Sequence, residues 1–154
     1  MKTLIINFSY HHKNTEKIAS VFGKSLDAEV KAPSEVDPTL VSDFDLVGLG
    51  SGISFGKHYK VLLEFADKLP SVTNKKAFIF STSGQPNNGP KFHKKLREAL
   101  QSKGFNIVGE FNCTGFDTYG ALKIFGGIQK GHPNDEDLKQ AETFAQSLKQ
   151  PAAP

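Results

Sequence analysis

The sequence predicts an α/β protein, in which a five-stranded parallel sheet carries helices on both faces. Short apolar runs of strand length alternate along the chain with amphipathic patterns of helical period. Two of those runs, Asp45–Gly50 and Lys76–Ser81, are almost continuously apolar, which is typical of strands covered on both sides. The length of 154 residues suits one domain with one core.

The first two strands are predicted at Leu4–Phe8 and Ala28–Ala32. Between them, a polar turn leads into a helix that begins near Thr15. The second strand ends at Pro33, because proline has no backbone donor and restrains the residue before it. Residues 33 to 43 are predicted to be a connecting loop with one helical turn.

The third strand, Asp45–Gly50, precedes a helix at Tyr59–Leu69, which ends before Pro70. After the fourth strand, Lys76–Ser81, a lysine-rich helix is predicted from about Pro90 to Lys103. Gly104 follows it as a C-cap residue. The fifth strand is predicted at Phe105–Cys113.

Residues 114 to 133 are glycine-rich and predicted to be irregular. A final helix is predicted to begin at Asn134 or Asp135 and to end near Leu148, with Asn134 as N-cap and acidic residues in its first turn. Residues 1–150 are therefore interpreted as one domain, and residues 151–154 as a frayed tail.

Composition limits the classes of function. A hydrophobic content of 38% with 13 Phe suffices for a core, and the single Cys113 excludes an internal disulfide or a multi-cysteine metal site. The net charge is only +3, and no exposed aromatic residues are interleaved with the lysines. Nucleic-acid binding is therefore not expected. No segment resembles a signal peptide or a membrane span, so a cytoplasmic location without stable membrane association is expected.

The polar turn after the first strand is the first candidate site. A helix that begins at such a turn directs free backbone N–H groups and the positive end of its dipole into it, so the turn is a candidate phosphate site. The alternative is that Asn14 or Thr15 only caps the helix. The residues of the turn are Ser9, Tyr10, His11, His12, Lys13, Asn14 and Thr15.

Two further polar turns follow the third and fourth strands. In a parallel sheet of order 2-1-3-4-5, all three turns lie at the same edge, where ligands bind. Glycines in these turns would let the backbone approach a flat ring closely, and Phe55 could stack on it. The candidate residues are Ser51, Gly52, Ile53, Ser54, Phe55, Gly56 and Lys57 in the second turn, and Ser81, Thr82, Ser83 and Gly84 in the third.

These segments resemble a known family. The strand-turn-helix Leu4–Ala19, the strand Asp45–Gly52 and the turn Phe80–Gly84 are similar to those of short-chain flavodoxins, over about residues 1 to 150. The most specific match is Asn14-Thr15-Glu16. The resemblance implies a flavodoxin-like three-layer sandwich and non-covalent FMN, with the phosphate at the first turn and the ring between the other two. It also implies low-potential, one-electron transfer between redox proteins.

The chain departs from that family in two places. Residues 10–13 replace the usual small hydroxyl residues and glycine, so histidine or lysine charge would take over from hydroxyl hydrogen bonds. The chain has no Trp, and Phe55 stands where the family commonly has one.

Two alternatives stay open at this point. The segment Gly50–Tyr59 also resembles quinone-dependent protoporphyrinogen oxidases of flavodoxin type, which would make the protein an FMN-dependent oxidoreductase. A flavodoxin-like interaction module without ligand is the other alternative. No catalytic or metal-ligating residue is predicted: Cys113 is interpreted as a buried structural thiol, and His58, His93 and His132 as surface or helix-face residues.

Overall fold

A computed structural model of the protein describes residues 1–9, 14–83, 89–114 and 133–149. Its strands are β1 (Thr3–Phe8), β2 (Glu29–Lys31), β3 (Leu46–Ser54), β4 (Lys57–His58), β5 (Lys75–Ser83) and β6 (Phe105–Thr114). Its α-helices are α1 (Asn14–Leu26), α2 (Lys60–Asp67), α3 (Gly89–Phe92), α4 (Lys94–Ser102) and α5 (Asp135–Leu148). None of the helices in these ranges has the length and apolar character needed to cross a bilayer.

The predicted sheet topology is confirmed. Five strands pair in parallel in the order β2-β1-β3-β5-β6, which is 2-1-3-4-5 when only the parallel strands are numbered. One element was not predicted. The two-residue strand β4 pairs antiparallel with the end of β3, so the described part of the chain forms a sheet of six strands rather than five.

The sheet separates two apolar clusters. On one face, α1 and α5 pack against side chains such as Ile5, Phe78 and Phe80. On the other face, α2 and α4 pack against Leu49 and Ile79, among others. Because side chains alternate between the faces of a strand, neighbouring residues at a strand end point into different layers. This alternation decides which polar groups can meet at the edge of the sheet.

Several predicted boundaries change in the structure. The stretch expected to be one loop with a helical turn contains two short 3₁₀ helices, Pro33–Glu35 and Pro38–Asp43. The single helix predicted from about Pro90 to Lys103 is divided at His93 into α3 and α4. The predicted N-cap of α5 is confirmed, because the Asn134 side chain accepts a hydrogen bond from the Asp137 N–H at 3.0 Å.

Candidate functional site

The carboxyl ends of four parallel strands lie level with one another. Phe8 of β1 pairs with Ser51 of β3, which pairs with Ser81 of β5, which in turn pairs with Asn112 of β6. The turns after β1, β3 and β5 therefore begin at the same edge of the sheet. This is the convergence that the sequence predicted for its three polar turns.

The first turn is bounded by described residues on both sides. Ser9 follows β1 and is half-buried, while Asn14 and Thr15 are buried at the start of α1. The hydroxyls of Thr15 and Thr82 are 2.8 Å apart, so a hydrogen bond joins the start of α1 to the end of β5. The predicted ligand residues Tyr10, His11, His12 and Lys13 lie outside the described residues.

The second turn is shorter than predicted. Ser51, Gly52, Ile53 and Ser54 belong to β3 rather than to a turn, because this strand continues to pair with β4 at Ile53 and Ser54. The turn itself consists of Phe55 and Gly56, both with positive φ, at 53° and 77°. Lys57 already belongs to β4.

Phe55 lies at the tip of this turn, and 84% of its surface is exposed. A positive φ is strained for a bulky residue such as Phe, and such backbone strain concentrates at binding sites. Below the tip, the Ser51 hydroxyl donates to the Gly52 carbonyl at 2.7 Å and accepts from the Tyr59 N–H at 3.2 Å. The base of the second turn is therefore fixed, while its tip faces outward.

The third turn begins inside β5. Ser81 and Thr82 are buried, Ser83 is half-buried, and Gly84 lies outside the described residues. Because the side chains alternate, Thr82 faces the layer of α1, where it meets Thr15, and Ser81 faces the layer of α4. Consequently, β5 contacts both helical layers at the edge of the sheet.

Two histidines were assigned wrongly from the sequence. His58 and His93 were expected on the surface or on a helix face, but each exposes only 1% of its surface. Their rings lie against each other, with centroids 5.1 Å apart and planes 33° apart. The third, His132, lies outside the described residues.

His93 connects Ser81 to Glu110. Its Nδ1 atom is 2.9 Å from a Glu110 carboxylate oxygen, and its Nε2 atom is 2.6 Å from the Ser81 hydroxyl oxygen. A carboxylate only accepts, so Nδ1 carries the proton and donates to Glu110. Burial lowers the pKa of His93, with Glu110 opposing that effect. Neutral His93 therefore accepts the Ser81 hydroxyl proton at Nε2.

Arg97 and Asn112 complete this arrangement. The Arg97 guanidinium donates to both carboxylate oxygens of Glu110, at 2.8 and 2.7 Å. Partial burial would raise the pKa of Glu110, but hydrogen bonds from Arg97 and His93 outweigh it, and the pKa is lowered. The Asn112 amide donates to the Ser81 hydroxyl oxygen at 2.6 Å. Glu110 is thus an ionised, fully oriented carboxylate.

His58 occupies the same buried layer. Its Nε2 atom lies 3.0 Å from the Phe80 carbonyl oxygen, and since a carbonyl only accepts, Nε2 carries the proton. Burial, reinforced by the neighbouring His93, lowers the pKa of His58 to about 3. His58 is therefore neutral at physiological pH.

Cys113 was predicted to be a buried structural thiol. The side chain exposes 3% of its surface, in the layer of α1 and α5. Burial raises the pKa of the Cys113 thiol to about 12, which is unfavourable for a nucleophile. The described residues also contain no group of three or more potential metal ligands.

The edge of the sheet contains polar atoms that suit a ligand. Within the described part of the chain, Asn7 Oδ1, Asn112 Oδ1 and His58 Nδ1 are buried without a hydrogen-bond partner. Asn7 is the residue before Phe8 at the end of β1, next to the predicted phosphate turn. Buried polar atoms usually have a partner, so such a group at a strand end is consistent with a missing ligand or water. Each of these three atoms is a hydrogen-bond acceptor, so they suit a ligand or water that carries O–H or N–H donors.

The strand order and the site at the carboxyl ends of the strands define a protein with the flavodoxin-like fold. Two flavodoxin structures show the same fold. Oxidised flavodoxin 2 from Bacillus cereus has a TM-score of 0.73 at 20% identity, over 96% of this chain and 97% of that one. A Fusobacterium nucleatum flavodoxin variant bound to flavin mononucleotide has a TM-score of 0.66 at 14% identity, over 95% of this chain and 94% of that one.

The chain belongs to the same family as the uncharacterized protein MJ0298 of Methanocaldococcus jannaschii. The two sequences are 53% identical over 148 residues, which cover 96% of this chain and 98% of that protein. No protein-family model matches the chain.

Proposed function

We propose that the protein binds FMN at the carboxyl edge of its sheet and carries electrons, one at a time, between redox proteins. The observation that carries this proposal is the convergence of three strand ends, with α1 tied to β5 by the Thr15–Thr82 hydrogen bond. Ligands in open parallel sheets bind at such an edge. The flavodoxin from Fusobacterium nucleatum, which has the same fold, binds flavin mononucleotide.

The first turn is the proposed phosphate site. Helix α1 has 13 residues and begins at Asn14, so its first backbone N–H groups and its positive dipole end face the turn after β1. The proposed ligands are Ser9 to Thr15. The positive charge available from Lys13 and from the histidines at 11 and 12 suits a phosphate dianion.

The other two turns are the proposed ring site. Residues 51–57 would cover one side of the flavin ring, with exposed Phe55 stacking on it, and residues 81–84 the other side. Bound FMN would supply reversible one-electron chemistry. The protein would orient the ring and exclude water from the sides that these two segments cover.

The electron-carrier role is favoured over an enzyme with its own substrate. The two similar structures described above are both flavodoxins, which supports a carrier over an enzyme of the same fold. The partners would therefore be redox proteins that dock near the exposed end of the second turn.

Replacement of Thr15 by Val tests the link between the first and third turns. Valine has nearly the same shape but no hydroxyl, so the buried Thr82 oxygen loses its partner and both turns lose a shared anchor. We expect the Kd for FMN to rise about fivefold, since one buried hydrogen bond is worth about 1 kcal/mol. Titration of the flavin fluorescence gives this Kd.

Thr143→Val is the matched control. The Thr143 hydroxyl is exposed on α5 and donates only to the Lys139 carbonyl within its own helix, at 3.1 Å. FMN affinity should stay at the wild-type value in this variant. If Thr15→Val also bound FMN as tightly as wild type, the proposed arrangement of the phosphate and ring sites would be wrong. If the wild-type protein bound no FMN, the proposed function itself would be wrong.

A further inference from the structure

We propose that His93 is a positioning residue, through which the Arg97–Glu110 ion pair at the surface holds Ser81 in place at the edge of the candidate site. This inference goes beyond the identity of the ligand, but its effect on FMN affinity depends on the proposed function. None of His93, Arg97 and Glu110 was predicted from the sequence to lie at this site. They lie at positions 93, 97 and 110 and meet only in the fold.

A continuous series of hydrogen bonds joins the surface to the sheet edge and converges on the Glu110 carboxylate. Arg97 holds both oxygens of Glu110, whose carboxylate accepts the Nδ1 proton of His93. This leaves Nε2 as an acceptor for the Ser81 hydroxyl. A carboxylate that fixes the tautomer and orientation of an imidazole in this way is a recurrent arrangement in proteins.

Ser81 is held from two sides. Its hydroxyl donates to His93 Nε2 at 2.6 Å, and its oxygen accepts from the Asn112 amide, also at 2.6 Å. The preceding residue is held too, because the Phe80 carbonyl accepts from His58 at 3.0 Å. Consequently, the backbone of β5 at Phe80 and Ser81, directly before Thr82 and Ser83, cannot shift without breaking buried hydrogen bonds.

The side chains of Ser81, His93 and Glu110 resemble the serine–histidine–acid arrangement of acyl-transfer enzymes. The burial of Ser81 argues against that use. Its relative exposure is 0%, and its oxygen already accepts a hydrogen bond from Asn112. A nucleophile must be reachable by a substrate carbonyl, whereas a positioning group needs no access.

Two substitutions at His93 separate the two ends of the chain of hydrogen bonds. In His93→Asn, the side-chain amide lies where Nδ1 lies in the wild type. This variant can still donate a hydrogen bond to Glu110 but loses the hydrogen bond from Ser81. In His93→Gln, the longer side chain places its amide where Nε2 lies in the wild type. This variant can still form a hydrogen bond with Ser81 but loses the hydrogen bond to Glu110. We expect His93→Asn to weaken FMN binding about tenfold and His93→Gln to weaken it less.

A double-mutant cycle with Ser81→Ala distinguishes positioning from general packing. If His93 acts through the Ser81 hydroxyl, the effect of His93→Asn on the Kd for FMN disappears in the Ser81→Ala background. If the same fold-change is found in both backgrounds, the proposal is overturned. His93→Gln in the same cycle keeps the experiment decisive should His93→Asn fail to fold.

The pH dependence of FMN binding is a second readout. Protonated His93 would donate from Nε2, so the Ser81 hydroxyl proton would have to turn away. The charged or titratable groups around His93 are His58 on β4, Arg97 on α4 and Glu110 on β6. We expect wild-type affinity to fall with acid as His93 takes up a proton, and His93→Gln to lack this component. An identical pH profile in both proteins contradicts the proposal.

Amide hydrogen exchange in the protein without FMN tests the inference apart from the proposed function. His93→Asn should accelerate exchange at Thr82 and Ser83 more than at Phe78 and Ile79, in the middle of β5. If His93→Asn accelerates exchange equally along β5, or not at all, the proposal is overturned, whether or not FMN binds. Labelling of Ser81 by a fluorophosphonate also overturns it, because Ser81 would then be an accessible nucleophile.

Discussion

Acidification is expected to destabilise this protein strongly through His58. In the folded state, burial keeps the pKa of His58 at about 3, against an ordinary value of 6.5. Between these two values the unfolded chain binds the proton and the folded chain does not. Stability is therefore fully present above pH 6.5 and falls as the pH drops, by up to about 1.4 kcal/mol per pH unit.

Neighbouring groups act in the same direction. The pKa of His93 is lowered by burial, so protonation of this residue also favours the unfolded chain below its ordinary value. The pKa of Glu110 is lowered by its hydrogen bonds from Arg97 and His93 despite the opposing effect of burial, so its contribution is lost as the pH falls through that lowered value. The acid transition should consequently be steep.

His58→Gln isolates the contribution of His58. Glutamine keeps an N–H that can donate to the Phe80 carbonyl but does not titrate. Urea unfolding at pH 7 and at about pH 4 should show a smaller loss of stability in the variant than in wild type. Ser20→Ala, which removes an exposed hydroxyl bonded to the Glu16 carbonyl, should leave the pH dependence unchanged. Equal pH dependence in wild type and His58→Gln would contradict the assignment.

Gly104→Ala is expected to be the most damaging small substitution in the described chain. Gly104 has φ of +96°, and a Cβ atom built there would lie 1.8 Å from the Val72 carbonyl oxygen. That carbonyl belongs to a backbone held by the Val72 N–H, which donates to the Lys103 carbonyl at 2.7 Å. A left-handed backbone and an overlap with fixed backbone together should cost about 3 kcal/mol.

Gly56→Ala separates the two causes. Gly56 also has a positive φ, at +77°, but no described atom lies within 4 Å of a Cβ built there. Only the conformational cost should remain, about 1 kcal/mol. Urea unfolding of both variants at pH 7 measures the difference. Equal losses would mean that the contact with Val72 is relieved at little cost.

The sequence predicts this fold well where local patterns agree with one another. Continuous apolar runs marked β3 and β5, and Gly104 and Asn134 marked helix ends that the structure confirms. The strand β4 was missed for a physical reason. It has two residues, Lys57 and His58, and its pairing with β3 depends on the tight turn at Phe55 and Gly56 rather than on any apolar alternation.

The buried polar network was missed because its members are far apart in the sequence. His58 lies in β4, His93 between α3 and α4, and Glu110 in β6, and nothing in their immediate neighbours indicates burial. One signal was available. Glu110 stands beside Phe111 in a strand with apolar residues, and a carboxylate in such a place needs partners. The helix predicted before this strand contains His93 and Arg97, two basic residues that could pair with the Glu110 carboxylate.

That the residues of the three polar turns bind the phosphate and the ring of FMN stays a prediction. The fold brings Thr15, Ser51 and Ser81 to one edge, as their positions after apolar runs implied.

Stepwise anaerobic reduction of the protein after FMN loading and removal of excess flavin is the most direct test of the proposed function. We expect one FMN per chain to be retained, and the long-wavelength absorbance of a one-electron-reduced flavin to rise and then fall as reductant is added. Retention of flavin with direct conversion to the two-electron form would contradict the one-electron carrier and favour an oxidoreductase with its own substrate. Loss of all flavin on removal of the excess would contradict the FMN site itself.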